Sequence, residues 1–497
     1  MKLTPDQTEV LNYSLLEDWD VLILTGPAGS GKTTLLNAIK NSYNKNKKDY
    51  NVLSAALTGR AASVLRTKGL DNARTIHYWI WGRPTMYVEF KNFYKLVRLK
   101  LTRTITDNEL WLIDESSMLH EGLLTQFLDY VHHPERNRKL GLFGSKLQEL
   151  YDDDKYTIKS NKKIIFCGDN NQLPPVYGYA MPALDNEKLS ALNFKVVDFS
   201  LNTLHRHKDS TDIHEVAEYI EENRHIPSNI NEYKNVNILN SNSIEEIADE
   251  YLKSYNENPY QTKYITYLNQ LVHEFNIYIR TLMYKTKPRV LLVEGDLIHV
   301  TKNNYYYDLW NGDHLVVEKV HKEFEGKPLP VRYVKNNPRK EKESKINNEL
   351  KSSERKDYTL NFTRVEVKHT ETNKKHNLLV VNETLNNMEG DNWIFVERED
   401  LYYQITEYLN AFFFYRHPEF KDMKKSEYKE ELETDEYNNA IYINYSYALT
   451  GHKAQGGEWD NTFVDLTVGT RKQPPGWMYT AITRASKKVN IIENRNF

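Results

Sequence analysis

The residues with the clearest chemical potential form a glycine-rich loop near the start of the chain. Residues 26–33 fit the phosphate-binding pattern G-x-x-x-x-G-K-[ST]. In such a loop, backbone N–H groups face phosphate oxygens, Lys32 reaches the β and γ phosphates, and the Thr33 hydroxyl ligates Mg²⁺. The predicted nucleotide-binding residues here are Gly26, Pro27, Ala28, Gly29, Ser30, Gly31, Lys32, Thr33 and Thr34. A plain glycine turn is the competing interpretation, and the strand and helix patterns on either side disfavour it.

A pair of carboxylates follows the apolar run at 110–113. At the carboxyl end of such a strand, Asp114 would hold Mg²⁺ and Glu115 would polarise an attacking water. An acidic loop at a strand end is the alternative interpretation. The position of the pair downstream of a phosphate loop favours the chemical one.

Short apolar runs predict the elements that position these residues. Runs at 21–24, 52–56, 110–113 and 164–167 alternate with polar segments that can form helices, which indicates a parallel sheet with crossover helices. A second set at 264–267, 462–465 and 489–492 predicts another α/β unit. The contiguous aromatic clusters at 305–307 and 412–415 predict buried packing.

Composition limits the class of protein. The chain has 497 residues, 39% of them hydrophobic and 27% charged, so it predicts a globular protein of about three domains. Its formal net charge of −3 gives no global sign of a polyanionic partner. Cys167 is the single cysteine, which excludes an internal disulfide or a cysteine zinc cluster and favours a reducing cytoplasm. No apolar stretch reaches the length of a membrane span, so no membrane role is expected.

Ordered motifs between Gln7 and Arg484 resemble those of the superfamily 1 B-type DNA helicases, particularly the RecD-like and phage Dda-like enzymes. The motifs lie at residues 3–7, 56–62, 75–77, 114–118, 168–176, 204–206, 267–269, 447–458 and 479–485. The segment 447–458, Tyr-Ala-Leu-Thr-Gly-His-Lys-Ala-Gln-Gly-Gly-Glu, is the most specific match. Leu57 and His207 stand where the family often has Pro and Gln.

The resemblance implies an α/β fold of two RecA-like P-loop domains in tandem, with an inserted β-hairpin pin and a small SH3-like barrel. On this basis domain 1A comprises 1–78 and 105–208, the pin domain 1B comprises 79–104, domain 2A comprises 209–290 and 446–497, and domain 2B comprises 291–445. A turn at 311–313, between strand patterns at 293–300 and 314–320, would belong to the barrel.

The resemblance also assigns roles to single residues. Gln7 and Gly457 would contact the nucleotide, and Gln172 would sense the γ phosphate. Arg206 and Arg484 could supply cations for the charge that develops on that phosphate when the second domain closes. The residues expected to bind a DNA strand, mainly through its phosphates, are Thr58, Arg60, His77, Pro174, Asn269, Thr450, His452 and Lys453.

The aromatic stretch before residue 95 falls where the family inserts its pin. Phe90, Phe93 or Tyr94 could stack on the base pair at a fork and act as a wedge. A small hydrophobic satellite core is an alternative interpretation of the same residues.

The sequence therefore predicts an enzyme that uses ATP and Mg²⁺ to translocate on single-stranded DNA and unwind forked DNA, with 5′ to 3′ polarity taken from the resemblance alone. An ATP-dependent switch that remodels or loads partner proteins without separating strands is the competing hypothesis. RNA as the tracked strand stays open, because phosphate contacts do not read the 2′-OH. We expect a monomer in the cytoplasm, the host's if the chain is phage-encoded, which could work with replication or recombination proteins.

Overall fold

The computed structural model describes residues 3–81, 106–132, 161–175, 180–203, 211–241, 243–285, 290–332, 355–385, 388–389, 392–393, 398–424, 427–466 and 473–493. In this part of the chain, contacts divide the fold into one unit of residues 1–275 and 448–497 and a second unit of residues 276–447.

The first parallel sheet carries the glycine-rich loop. Its strands are β1 (Val21–Thr25), β2 (Asn51–Ala56), β3 (Arg74–Thr75), β4 (Glu109–Asp114), β5 (Lys162–Gly168) and β6 (Val196–Ser200). They lie in the order β3-β2-β4-β5-β1-β6, and every pair is parallel. The helices are α1 (Pro5–Ser14), α2 (Lys32–Asn46), α3 (Gly59–Thr67), α4 (Ile76–Trp81), α5 (Glu121–His132) and α6 (Asn186–Ser190).

Strand β1 lies between β5 and β6 and has apolar side chains on both faces of the sheet. Leu22 and Leu24 pack into one hydrophobic cluster and Val21 and Ile23 into another. A strand with both faces covered is typical of parallel sheets. The carboxyl ends of all six strands consequently meet at one edge, where the loop after β1 begins.

The second parallel sheet belongs to the same unit. Its strands are β7 (Val236–Leu239), β8 (Thr262–Thr266), β18 (Ala448–Thr450), β19 (Trp459–Asp465) and β20 (Ala485–Ile492), in the order β18-β8-β19-β20-β7. The helices are α7 (Thr211–Asn223), α8 (Ile244–Glu257), α9 (Asn269–Tyr284), α12 (Gly451–Ala454) and α13 (Trp477–Ile482). The mixed α/β architecture with parallel sheets is as predicted.

Helix α8 illustrates how the sequence defines these elements. Ser243 caps its first turn by accepting a hydrogen bond from the Glu246 N–H, and acidic residues in that turn face the positive end of the helix dipole. The residues it buries, Ile247, Ala248, Tyr251 and Tyr255, recur at the spacing of one helix face.

The second unit contains an antiparallel sheet. Its strands are β9 (Leu297–Val300), β10 (His314–Glu325), β13 (Asn361–His369), β14 (Lys375–Val381) and β17 (Ile443–Tyr445), in the order β14-β13-β10-β9-β17. Two short hairpins, β11 (Leu329–Arg332) with β12 (Arg355–Tyr358) and β15 (Met388–Glu389) with β16 (Asn392–Trp393), and helices α10 (Arg398–Arg416) and α11 (Lys429–Thr434) complete it. The turn predicted at 311–313 is present, with Gly312 at φ +96°.

The prediction that the aromatic clusters are buried is correct only in part. Phe412 and Phe413 on α10 are buried, but Tyr415 is 53% exposed and Tyr306 is 48% exposed. Contiguous positions on a helix point in different directions, so local aromatic density does not give burial of every ring. Within the described ranges we find no helix long and apolar enough to cross a membrane.

A buried ion pair lies where the second unit begins and ends along the chain. The Arg280 guanidinium donates to both carboxylate oxygens of Asp296 at 2.7 Å, and the Val293 N–H and the Tyr447 hydroxyl donate to the same carboxylate at 2.8 and 3.2 Å. The guanidinium also lies 4.1 Å from the centroid of the Tyr445 ring. Both charged groups are buried, so removal of either one would leave the other charge unpaired in the interior.

We expect Asp296→Asn to lower the free energy of unfolding by about 3 kcal/mol, because it leaves the Arg280 charge buried without its partner. Urea unfolding measures the change. Glu250→Gln is the control, since Glu250 pairs with Lys253 at the surface and its loss should cost less than about 0.5 kcal/mol. Equal urea midpoints for Asp296→Asn and wild type would contradict the assignment.

Glu383 makes the stability of the second unit depend on pH. Its Oε1 accepts hydrogen bonds from the Asn361 backbone and side-chain amides at 2.8 and 3.1 Å, yet burial raises its pKa from 4.5 to about 7. The folded protein therefore keeps this proton over a range in which the unfolded chain loses it.

Stability should accordingly fall as the pH rises from about 4.5 through 7. Because Gln cannot ionise, Glu383→Gln should match wild type at pH 5 and exceed it by about 2 kcal/mol at pH 8. Urea unfolding at the two pH values tests this, and a variant whose pH dependence equals that of wild type would refute it.

Candidate functional site

The glycine-rich loop joins β1 to α2 and has the backbone that phosphate binding needs. Gly29 and Gly31 have φ of +87° and +82°, a region that side chains disfavour. A Cβ on Gly26 would lie 2.7 Å from the Leu201 carbonyl oxygen. In the described structure no side chain caps the start of α2, so its first N–H groups and the positive end of the helix dipole face the loop.

Lys32, the first residue of α2, folds back over the loop. Its ammonium donates to the Gly26 and Pro27 carbonyl oxygens at 2.7 and 2.9 Å. The positive charge is therefore held directly above the loop.

Thr33 and Asp114 bring together the oxygen ligands that Mg²⁺ prefers. The Thr33 hydroxyl donates to Asp114 Oδ2 at 3.0 Å, although the two residues come from α2 and the end of β4. A hydroxyl and a carboxylate, with phosphate oxygens and waters completing an octahedron, are a suitable ligand set for Mg²⁺.

Glu115 occupies a strained position next to this pair. Its backbone is left-handed, with φ +54°, and its N–H donates to Asp114 Oδ1 at 3.0 Å. Burial raises the pKa of Glu115, and repulsion from Asp114 adds to this, whereas attraction to Arg484 and Lys32 opposes it. A carboxylate with a raised pKa is a better proton acceptor, as a general base requires.

The segment after β5 connects the loop side of the first sheet to helix α13 of the second. Gln172 is 4% exposed and donates to Asp169 Oδ2 at 3.3 Å. The Tyr479 hydroxyl donates to that same oxygen at 3.3 Å, and the Leu173 N–H donates to the Thr480 hydroxyl at 2.9 Å. The predicted phosphate sensor is thus linked through Asp169 to helix α13 of the second sheet.

Glu221 on α7 holds the start of α13, a role that no motif in the sequence indicates. Its carboxylate accepts hydrogen bonds from the Gly476 and Tyr479 N–H groups at 2.7 and 3.3 Å. Gly476 has φ +79°, and a Cβ there would lie 2.4 Å from the Gln172 carbonyl oxygen. Only glycine allows this close approach.

Arg484 lies on the second sheet with its guanidinium held by three acceptors. It donates to the Thr480 and Gly457 carbonyl oxygens at 2.8 and 3.2 Å and to the Thr483 hydroxyl at 3.2 Å. A Cβ on neighbouring Gly456 would lie 4.0 Å from Glu115 Oε1. The predicted catalytic arginine and the predicted general base therefore face the same space.

A cavity of about 430 Å³ lies beside the start of the glycine-rich loop. The residues that line it are Thr25, Gly26, Pro27, Asp169, Asn170, Asn171, Ser200, Asn202, His214, Glu215 and Glu218. The lining comes from the segments at the ends of β1, β5 and β6 and from helix α7.

Gln7 has polar contacts of its own. It forms a capping box with Thr4 at the start of α1, and its Nε2 donates to the Ser30 carbonyl oxygen at 3.2 Å. The Gln7 side chain therefore contacts the glycine-rich loop at Ser30. Its predicted contact with the nucleotide stays a prediction.

The residues predicted to bind a strand fall at one side of each parallel sheet. Thr58 and His77 follow the adjacent strands β2 and β3, and Thr450 and Asn269 follow the adjacent strands β18 and β8. Thr58 caps α3 and Thr450 caps α12, each by accepting a backbone hydrogen bond. His452 and Lys453 lie in α12, and half-buried Pro174 lies in the segment after β5.

The remaining predicted strand contact, Arg60, is only 7% exposed, and its guanidinium lies 5.4 Å from the centroid of the Trp459 ring. Arg206 and the candidate wedge residues Phe90, Phe93 and Tyr94 lie outside the described residues.

A phosphate loop on one parallel sheet, faced by an arginine that precedes a strand of a second parallel sheet, defines a P-loop nucleotide-binding protein of mixed α/β fold. Two family models match it. An AAA domain matches residues 2–149, and a UvrD-like helicase C-terminal domain matches residues 445–492.

Solved structures with the same fold are the Pif1 helicases. The structure of the Candida albicans enzyme covers 100% of this chain and 95% of its own, with 16% identity and a TM-score of 0.51. That of Bacteroides Pif1 in complex with ADP-AlF3 and ssDNA covers 99% and 92%, with 15% identity and a TM-score of 0.50. The resemblance to superfamily 1 helicases that the motifs predict is confirmed for the two matched domains and for the fold.

A curated relative is an uncharacterized protein of Methanocaldococcus jannaschii, 26% identical over 517 aligned positions that cover 99% of this chain. The chain spans 38% of the length of that relative.

The geometry predicts different losses for two residues of the site. Lys32→Ala should weaken binding of a nucleoside triphosphate by more than about tenfold, because it removes the cation above the loop. Glu115→Gln should bind as wild type does but hydrolyse more than about 100-fold more slowly, because it removes the proton acceptor. Calorimetry and phosphate release measure the two effects. Weak nucleotide binding by Glu115→Gln would contradict its role.

Proposed function

We propose that the chain is an ATP-dependent DNA helicase that translocates on single-stranded DNA and unwinds duplex in the 5′ to 3′ direction. The observation that carries the proposal is the approach of the second sheet to Glu115 of the first. A Cβ on Gly456 would lie 4.0 Å from Glu115 Oε1, and the carbonyl of the next residue, Gly457, accepts a hydrogen bond from Arg484. The solved structure of Bacteroides Pif1 in complex with ADP-AlF3 and ssDNA has the same fold. This likeness supports a nucleotide and a DNA strand as the ligands of this chain.

In the proposed reaction, Lys32 and the α2 N–H groups bind the phosphates, and Thr33 and Asp114 hold Mg²⁺. The ion would neutralise charge on the β and γ phosphates. Glu115 orients the water that attacks the γ phosphate and accepts its proton. Arg484, together with Arg206, stabilises the charge that develops there, and Gln172 reports the presence of the phosphate to α13 through Asp169.

We assign binding of the DNA strand to helix N-termini that lie beside both parallel sheets. Thr58 and Thr450 cap the helices α3 and α12, whose N–H groups favour phosphate oxygens. His77, Pro174, Asn269, His452 and Lys453 would complete the contacts. Closure of the two RecA-like domains on ATP, followed by opening after hydrolysis, would move these two grips along the strand alternately.

The proposed domains are 1A (1–78 and 105–208), the pin domain 1B (79–104), 2A (209–290 and 446–497) and 2B (291–445). Phe90, Phe93 or Tyr94 would form the wedge in 1B, and the antiparallel sheet of the second unit would correspond to the SH3-like barrel of 2B. The enzyme would act as a monomer on forked DNA, alone or with replication or recombination proteins.

Unwinding of duplexes that carry a 5′ tail, a 3′ tail or no tail tests the function and its polarity. We expect ATP to release the displaced strand from the 5′-tailed substrate alone, and single-stranded DNA to stimulate hydrolysis. Glu115→Gln is the inactive control. Stimulated hydrolysis without strand release on any substrate would favour a remodelling ATPase, and unwinding from a 3′ tail alone would refute the polarity. An RNA tail in a parallel reaction distinguishes the two nucleic acids.

A further inference from the structure

Trp459 lies between the strand-binding side and the nucleotide side of the first unit. It is the first residue of β19 and is 3% exposed. On one side, the Arg60 guanidinium carbon lies 5.4 Å from the centroid of its ring. Arg60 is the second residue of α3 and lies two positions after the cap Thr58, so any ligand that shifts the start of α3 also shifts this cation.

On its other side, Trp459 contacts the groups that hold Arg484. The Trp459 N–H donates to the Arg484 carbonyl oxygen at 3.0 Å. A Cβ on Gly457 would lie 2.4 Å from Cη2 of the indole, so the ring packs directly on this glycine. The Gly457 carbonyl in turn accepts the hydrogen bond from Arg484 Nη1 at 3.2 Å.

A buried lysine lies near the same ring. The Lys263 Nζ lies 5.8 Å from the centroid and is completely buried. Burial lowers the pKa of Lys263 well below its usual value, and the nearby charge of Arg60 lowers it further. Cations attract the face of an indole, most strongly where water is excluded, and we assign that attraction here to the Arg60 guanidinium.

We propose that Arg60 and Trp459 are positioning residues that transmit strand binding at α3 to Arg484, so that a bound single strand accelerates ATP hydrolysis. The inference rests on the proposed function and assigns Arg60 a role other than direct contact with phosphate. A strand phosphate bound at the start of α3 fixes the backbone that carries Arg60. The Arg60 guanidinium then holds the indole face, and the indole holds the Gly457 backbone, whose carbonyl orients the Arg484 guanidinium.

The test compares Arg60→Met, Trp459→Ala and Trp459→Phe in steady-state hydrolysis with and without saturating oligo(dT), alongside strand affinity measured by anisotropy. We expect Arg60→Met and Trp459→Ala to lower the stimulated kcat by about tenfold or more, within the range typical of coupling between sites, with KM for ATP and strand affinity changed less than about threefold. Trp459→Phe keeps an aromatic face and should keep most of the stimulation.

The chain offers a matched control at the opposite edge of the first sheet. The Lys163 ammonium lies 4.1 Å from the centroid of the Trp19 ring, just before β1 begins. Trp19→Ala also removes a buried indole from a cation, so it should cost stability but leave the stimulation factor unchanged. If Trp459→Ala does not fold, Arg60→Met and Trp459→Phe still decide the outcome, because neither removes a buried ring.

Two results would overturn the inference alone. One is full stimulated kcat in Arg60→Met with strand affinity reduced tenfold or more, which would make Arg60 a phosphate contact. The other is wild-type stimulation in every variant. A wild-type enzyme that hydrolyses ATP but never responds to a strand would overturn the proposed function as well, so the two failures are distinguishable.

Discussion

The packing of α13 against the segment that follows β5 is the constraint on which the arrangement of the first unit depends. A Cβ on Gly476 would lie 2.4 Å from the Gln172 carbonyl oxygen, and the Leu173 N–H donates to the Thr480 hydroxyl at 2.9 Å. Asp169 accepts hydrogen bonds from both Gln172 and Tyr479, so the two parallel sheets are joined there. Arg484, in the turn after α13, attracts Glu115 and opposes its repulsion from Asp114. In the proposed reaction each sheet therefore supplies groups that the other lacks.

The sequence pattern predicted those elements whose geometry depends on residues close together along the chain. The glycine-rich loop and its flanking strand and helix follow from the spacing of residues 26–33. Asp114 lies 81 residues beyond Thr33, and its place beside the loop follows instead from the predicted parallel sheet, whose strands end at one edge. The parallel sheets also follow from short apolar runs between polar helices. The sequence indicates these elements directly, because the pattern that defines each one lies within a single short segment.

Contacts between distant segments left no such signal. Glu221 looks like any acid on an amphipathic helix, and its role as cap for Gly476 and Tyr479 exists only after α7 packs against α13, which begins more than 250 residues further along the chain. Arg60 belongs to a motif of strand contacts, yet its guanidinium lies against Trp459 from a segment about 400 residues away along the chain. The exposed rings of Tyr306 and Tyr415 show the same limit, because density of aromatic residues does not reveal which face is covered.

The left-handed backbone of Glu115 has a consequence for how this chain can change. A non-glycine residue at φ +54° stores strain in the folded state, and glycine or asparagine would adopt that conformation more readily. A replacement there would relieve strain, and removing the buried carboxylate would relieve its repulsion from Asp114 as well. The role proposed for Glu115 is therefore opposed by the strain of its backbone, so evolution towards heat tolerance alone would favour another residue at position 115.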